Sequence, residues 1–348
     1  MICALTVLPK WSKFNTEILH NKHRICQVMP TLLLDRNAIK TLIKMSDVID
    51  VVERAFRMCG EGKGKMPAKT YLSLEHGDFR AMPAALPGCA GMKWVNVHPQ
   101  NPSHGLPSIM AILIYNDPET GYPLAIMDAT EITAYRTGAA AGIASKYLAR
   151  RDSHTIGIIG AGFQAHTQIL AHAELFNPIS INVFDVSRAA ADKLMQSLSQ
   201  FSIRNCSLEE AVASDIVCTL TPSRCSIIKK EWIAAGTHIN AVGADAPGKQ
   251  ELDSSILKDA IVVVDDLEQA GTSGEINVPV RKGIYTIGEV YGTLAELVVG
   301  KKKGRTDNRA ITVFDSTGIA VEDIAVAKLL FEKAQQVGGY TSVDLIGA

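Results

Sequence analysis

Three cations of this chain fall inside strand-like segments, where a charged side chain needs a reason: Lys69-Thr-Tyr-Leu-Ser-Leu-Glu75, Asp78-Phe-Arg80-Ala-Met-Pro83 and Gly91-Met-Lys93-Trp-Val-Asn-Val97. Arg80 lies between Phe79 and Ala81, and Lys93 between Met92 and Trp94. An alternating strand has a solvent face, and Lys69 alone fits that bland reading equally well. Three cations at matched strand positions point instead to a small carboxylate ligand, met by the planar fork of arginine and the point charge of lysine. Arg80 and Lys93 are therefore candidates for binding such a carboxylate. Asp245 follows Ala241-Val242-Gly243-Ala244, which puts a carboxylate at the mouth of a site; the alternative is a simple capping aspartate.

A second constellation implies a nucleotide. The run His154-Thr-Ile-Gly-Ile-Ile-Gly160-Ala-Gly162-Phe163-Gln164-Ala165 reads as strand, tight turn and helix. Gly160-x-Gly162-x-x-Ala165 fits the dinucleotide fingerprint: the first small residue permits the turn, the second lets a pyrophosphate approach, and the third packs helix on strand. The helix N-terminus then presents free N–H groups to the phosphates. Alone the motif is weak, since glycine pairs often serve only as turns. The context supports it, because Ile179-Ser-Ile-Asn-Val-Phe-Asp185 is a second strand ending in an acid suited to ribose hydroxyls. That carboxylate should repel a 2′-phosphate, so NAD is expected over NADP. Val186 and Ser187 continue this edge, and Arg188 is the nearby cation that a phosphate could recruit.

The elements that must position these residues follow from the patterning. Strands at Thr155–Ile159, 179–185, 215–220, 237–242 and Ile261–Val264 alternate with helices, the mark of a doubly wound parallel sheet. Ligands in such sheets meet the carboxyl ends of strands, so Thr219-Leu220-Thr221 and Val242-Gly243 to Lys249 are the loops to watch. Before them, Asp35 and Ser46 look like N-caps of two helices. A hairpin joins 109–115 to 122–127 through Asn116-Asp-Pro-Glu-Thr-Gly121. Thr130 opens a helix so rich in Gly and Ala that another backbone or a ligand can approach it. Arg136-Thr137 is its polar exception, a candidate phosphate contact set against the reading of a surface arginine. A strand at 311–315 and an amphipathic helix from Val321 to Lys333 close the chain.

The 348 residues, 47% hydrophobic and 20% charged, suffice for a large core and suggest two domains. The expected division is an extension of unknown role at 1–28, a substrate-binding and dimerisation domain at 29–145 completed by the C-terminal helix at about 320–348, and a nucleotide-binding domain at 146–319. A net charge of −1 leaves no bulk basic surface for nucleic acid or an anionic membrane. Seven scattered cysteines without a Cys-x-x-Cys point to reduced thiols and a cytoplasmic setting. Nine histidines without a ligand-spaced pair give no reason to expect a metal. No apolar run reaches the roughly 20 residues that cross a bilayer.

Taken together, Gly91-Met-Lys93-Trp-Val-Asn, Arg136-Thr137-Gly-Ala-Ala, Gly160-Ala-Gly162-Phe-Gln164, His238-Ile-Asn-Ala-Val-Gly243-Ala-Asp245-Ala-Pro-Gly-Lys and Phe314-Asp-Ser-Thr-Gly318 resemble the ornithine cyclodeaminase/μ-crystallin family from about Pro30 to the C-terminus. Within it the chain is most similar to archaeal-type alanine dehydrogenases, through Arg80-Ala-Met-Pro83 and the run from Gly243 to Leu252. The resemblance implies a Rossmann-type doubly wound sheet plus a smaller α+β domain, a homodimer built through the first domain, and hydride exchange between NAD and the α-carbon of an amino acid. Carried over, Lys93 is the acid/base, its reference pKa of about 10.4 brought down by burial and the neighbouring cations, Lys69 and Arg80 are substrate-side cations, and Asp245 faces the reacting carbon. Arg136, Phe163, Gln164, Asp185, Thr219, Thr221 and Thr317 line the dinucleotide, with Ser108 a weaker contact. Cyclodeaminases of the family carry a glutamate where this chain has Arg80, so the resemblance favours reversible deamination of alanine. Ornithine cyclodeamination, cyclic imine reduction and non-catalytic nucleotide binding are the rivals.

Overall fold

The computed structural model describes residues 30–176 and 180–347. The expected extension at 1–28 and the first residue of the strand expected at 179–185 lie outside them. The chain forms two sheets. In the first, β1 (Thr31–Leu34), β2 (Thr70–Leu74), β3 (Gly77–Leu86), β4 (Cys89–Val97), β5 (Ile109–Asn116) and β6 (Pro123–Asp128) are joined by the last strand, β15 (Ser342–Val343). The order is β15-β1-β6-β5-β4-β3-β2, antiparallel except between β1 and β6. Helices α1 (Arg36–Leu42), α2 (Met45–Gly60) and α3 (Thr130–Leu148) belong to this half.

The second sheet contains β7 (Thr155–Ile159), β8 (Ser180–Phe184), β9 (Ile203–Asn205), β10 (Ile216–Thr219), β11 (His238–Ala241), β12 (Ile261–Val264), β13 (Gly292–Thr293) and β14 (Thr312–Asp315). Its pairings are all parallel, in the order β13-β12-β14-β11-β10-β7-β8-β9. From β7 the chain winds outward through β8 and β9, then returns to build β10 and β11 on the other side. The switch point therefore falls between β7 and β10, where an open α/β sheet receives its ligand. Helices α4 (Phe163–Phe176), α5 (Arg188–Ser197), α6 (Leu208–Val212), α7 (Ser254–Asp259), α8 (Leu267–Ser273), α9 (Asn277–Arg281) and α10 (Leu294–Val298) connect these strands. The mixed fold of a Rossmann-type parallel sheet with a second α+β part is the one expected.

Continuous apolar runs explain the second sheet. Ile156, Ile158, Val217, Ile239, Val262 and Val263 are all buried, as strands covered on both faces must be. The first sheet instead alternates. In β3, Arg80, Met82, Ala84 and Leu86 point inward while the residues between them do not. The last helix, α11 (Ala320–Val337), packs on β3, β4, α2 and α3, so the chain's end completes the first core.

Two expectations from the patterning change in detail. Asp35 does cap α1, accepting the Ala38 N–H at 2.8 Å. Ser46 does not cap α2, which begins a residue earlier at Met45 behind Lys44 and has no side-chain cap. Burial of Met45, Val48, Ile49 and Val52 sets that start, so packing overrides the capping preference. The small residues of α3 admit a backbone rather than a ligand: Gly138 lies against the Thr167 carbonyl of α4.

Candidate functional site

The cations of the first sheet meet the carboxyl-end loops of the second. Antiparallel pairing sets Tyr71 opposite Arg80, Arg80 opposite Val95, and Met82 opposite Lys93, which puts Arg80 and Lys93 on one face of the sheet. Lys69, one residue before β2, extends the same row. The Lys69 ammonium donates to the Thr317 carbonyl beyond β14 at 2.6 Å. Arg80 donates through Nη1 to Asp245 Oδ2 beyond β11 at 2.9 Å. Its Nε and Nη2 are held by the two Asp78 oxygens at 2.7 and 3.3 Å, and its guanidinium lies 5.3 Å from the Tyr71 ring centre. Arg80 is therefore not a bare cation; Nη1 is its only arm toward the second sheet.

Electrostatics follow from burial and pairing. Lys93 is 1% exposed, and burial pushes its ammonium down to about 7, opposed by Asp323 and aided by Arg136. Burial likewise brings Lys69 down to about 8. For Asp245 burial favours the neutral acid, but the Arg80 guanidinium and the Lys249 ammonium, 2.5 Å from Oδ1, outweigh it and hold the carboxyl well below the usual range. Lys93 is thus poised to exchange a proton near neutrality while Asp245 stays ionised.

Arg136 sits elsewhere than its motif suggests. Its Nε and Nη1 are taken by Asp323 Oδ1 at 3.1 Å and Glu322 Oε2 at 3.0 Å, both on α11. A Cβ at Gly318 would run into this guanidinium. Arg136 thus joins the cluster around Lys93, with Nη2 its remaining arm toward an anion. Thr137 turns its hydroxyl back onto the Thr133 carbonyl at 2.7 Å within α3. Ser108 offers its carbonyl to the His98 N–H at 2.8 Å and bonds to none of the other site residues.

The nucleotide-side residues do converge. Gly160 has a φ of 102°, and its Cα faces Leu220 and Thr221 across the switch point. A Cβ at Gly162 would meet nothing within 4 Å, leaving the turn open where a pyrophosphate approaches. Asp185 accepts the Ala161 N–H at 2.7 Å and the Ser187 N–H at 2.7 Å, tying the second strand to the fingerprint turn. Beside it Val186 is 95% exposed and Phe163 is 50% exposed, apolar surface suited to an aromatic ring. The side-chain oxygens Gln164 Oε1 and Ser316 Oγ are buried without a hydrogen-bond partner among the described residues. Open turn, exposed apolar rim and orphaned buried oxygens fit a dinucleotide.

Sequence reasoning missed the acids that hold this surface. Glu251 accepts from Thr219 Oγ1, Thr221 N and Thr221 Oγ1 at 2.7 Å and from Gly243 N at 3.0 Å, so the two threonines expected to line the cofactor are bonded to it. Val242 leads into that Gly243 turn. Asp265 accepts Thr317 N and Gly318 N, each at 2.6 Å, and burial pushes its carboxyl up. Glu275 receives Glu251 N and Leu252 N, and Asp315 receives Glu275 N and Ile276 N. One signal was available: Asp265 and Asp315 end apolar parallel strands, where this sheet type places its ligand loops. Among the described residues no group of three or more His, Cys, Asp or Glu side chains is arranged to hold a metal. No described helix is long and apolar enough to cross a membrane.

Comparison with known proteins agrees with this geometry. The profile of the ornithine cyclodeaminase/mu-crystallin family matches residues 29–338. An alanine dehydrogenase of Archaeoglobus fulgidus is 51% identical over 308 residues, 88% of this chain and 96% of that one. Among solved structures, an archaeal alanine dehydrogenase dimer with bound NAD superposes with a TM-score of 0.90 at 49% identity, covering 91% of this chain and all of that one. The Thermococcus litoralis Δ1-pyrroline-2-carboxylate reductase, in complex with NADH and L-proline, gives 0.88 at 43% identity over 90% of this chain and 100% of that one.

Proposed function

Since the chain belongs to the ornithine cyclodeaminase/mu-crystallin family, we propose that it works as an NAD-dependent alanine dehydrogenase, interconverting L-alanine and pyruvate plus ammonia. The observation that carries this reading is the pair of contacts Lys69–Thr317 and Arg80–Asp245, which bring two cations suited to an α-carboxylate against the loops of a dinucleotide sheet. Bound NAD supplies the hydride acceptor. The alanine carboxylate takes Arg80 Nη1 in place of Asp245 and is shared with Lys69. Asp245, kept ionised by Lys249, then faces the substrate nitrogen and the cationic imine left at the α-carbon. Water adds to that imine to give a carbinolamine, and ammonia leaves. Lys93 takes the proton from the attacking water, returns it to the departing nitrogen, and takes the hydroxyl proton as the carbonyl forms; in reverse, the protonated form polarises the pyruvate carbonyl.

Gly160, Gly162, Phe163, Gln164, Asp185, Val186, Ser187, Leu220, Val242, Gly243 and Thr317 would line the dinucleotide, with Thr219 and Thr221 acting through Glu251. Asp185 favours free ribose hydroxyls, hence NAD over NADP. The division at about residue 146, with α11 returned to the first part, is supported by the separate sheets and by α11 packing on β3 and β4. A homodimer through the first sheet is supported by its exposed apolar face, which includes Leu72, Leu74, Trp94 and Ile112. A cytoplasmic location is supported by Cys59, Cys89, Cys206, Cys218 and Cys225, all unbridged.

The likeness to the proline-bound reductase favours one second reading, reduction of a small cyclic imino acid, whose single carboxylate would suit the same cations. A substrate panel decides. NAD-dependent NADH formation with alanine, and NADH oxidation with pyruvate plus ammonia, are expected, with lower kcat/KM for NADP. Conversion of ornithine to proline and ammonia without net NADH, or turnover of a cyclic imine with none of alanine, would overturn the assignment.

A further inference from the structure

The cluster beneath Lys93 contains two acids to which the reaction gives no task. Lys93 leaves the middle of β4 on the covered face, so its ammonium needs a counter-charge inside the protein. Asp323 Oδ2 lies 2.7 Å from Lys93 Nζ, with exposures of 0% and 1%. The approach is an ion pair rather than a well-aligned hydrogen bond, since Oδ2 has no partner of hydrogen-bond geometry. The other oxygen of Asp323 receives Arg136 Nε. Asp323 therefore bridges β4 to α3 from the first turn of α11. A carboxylate there is also favoured by the helix dipole.

Its position is fixed from the cofactor side. α11 begins just after Thr317-Gly318, whose two N–H groups are clamped by Asp265 and whose Thr317 carbonyl takes Lys69. A rigid path thus runs from the loop of β14 to the counter-ion of Lys93. The charged groups acting on Lys93 are Asp323 from α11, Arg136 from α3 and Lys69 ahead of β2, while Glu322 of α11 pairs with Arg136. Arg136 and Lys69 disfavour the ammonium, and Glu322 is itself pushed up to about 8 by burial and engaged with Arg136. Asp323 is the anion in direct contact.

We propose that Asp323 is the positioning residue of Lys93, holding its amine in place and governing the pH at which it gives up its proton. The inference rests on the acid/base role proposed for Lys93. Replacing an anion in contact with an ammonium by a neutral group disfavours the charged form, so Lys93 should deprotonate at lower pH.

The test is the Asp323→Asn variant in the full-length protein. The acid limb of kcat/KM for alanine should move down by roughly one to three pH units. Asp323→Glu should return the limb toward its wild-type position, and NADH affinity should stay within about threefold of wild type. Glu322→Gln, which touches Arg136 and not Lys93, should leave the limb in place. An unmoved limb in Asp323→Asn with kcat reduced would assign Asp323 a merely structural role and overturn the proposal. A titration of ε-13C-labelled lysine by NMR reads Lys93 without turnover. It separates the two readings: a shifted Lys93 titration without any alanine activity sinks the dehydrogenase assignment and keeps Asp323, while an unshifted one sinks Asp323. Should Asp323→Asn not fold, the same titration in the neutral Asp323→Ser variant decides, an unchanged value counting against the proposal.

Discussion

At the scale of single residues, burial turns Lys93 from an ordinary cation into a group that titrates near neutrality. Proton transfer by a placed group contributes about 10²–10⁴-fold to a rate. Lys93→Ala should therefore lose that much kcat for alanine, with NADH binding, measured by fluorescence titration, essentially unchanged. The wild-type rate of deamination should rise through about pH 7 as Lys93 loses its proton, in line with its lowered value. Retention of near-normal turnover by Lys93→Ala would demote it to a carboxylate contact. Arg80 and Lys93 stood out in the sequence as candidates because a charge flanked by apolar strand residues is locally conspicuous, and Asp245 because it follows an apolar strand end. Their partners did not: Asp78 beside Arg80 looks like a strand-end acid, and Asp323 looks like one more helix residue until α11 folds back over β4.

At the scale of elements, the glycine-rich turn after β7 was readable because it depends only on local pattern. What holds the neighbouring turns depends on residues far along the chain. Glu251 gathers the ends of β10 and β11 by accepting four hydrogen bonds, two on each oxygen. Each oxygen serves one backbone N–H and one threonine hydroxyl. In Glu251→Gln the amide nitrogen must replace one oxygen, and whichever it replaces leaves a backbone N–H facing another donor. An unpaired buried donor costs about 1–3 kcal/mol, and about 1.4 kcal/mol of that range is already tenfold in an equilibrium. The variant should melt several degrees lower and bind NADH about tenfold more weakly. An unchanged Kd with a lowered Tm would confine Glu251 to stability. Arg136 carries the same lesson: its helix was legible, while the carboxylates that claim it arrive from α11.

At the scale of the whole molecule, the two faces of the first sheet have opposite tasks. Because side chains alternate along a strand, Lys93 points to the covered face and Trp94 to the other. Cross-strand pairing aligns Trp94 with Ile112 and with Ala81, while Phe79 stacks on Trp94 with ring centres 5.3 Å apart. Leu72 pairs with Phe79 on the same side, so an apolar patch spans β2 to β5. Leu72 is 53% exposed and Ile112 54% exposed within one chain, which is unusual for large aliphatic side chains gathered on one sheet face. A second copy of the chain, related by a two-fold axis, would cover that patch with itself. The double variant Leu72→Glu, Ile112→Glu places like charges where the two copies meet and exposes them at no cost in the monomer. Light scattering after size exclusion should give twice 37.5 kDa for the wild type and 37.5 kDa for the variant. The wild-type Tm should also rise with protein concentration, as mass action requires, and the variant's should not. A wild type that runs as a monomer at micromolar concentration, or a variant that stays dimeric, would show that this face is not the interface.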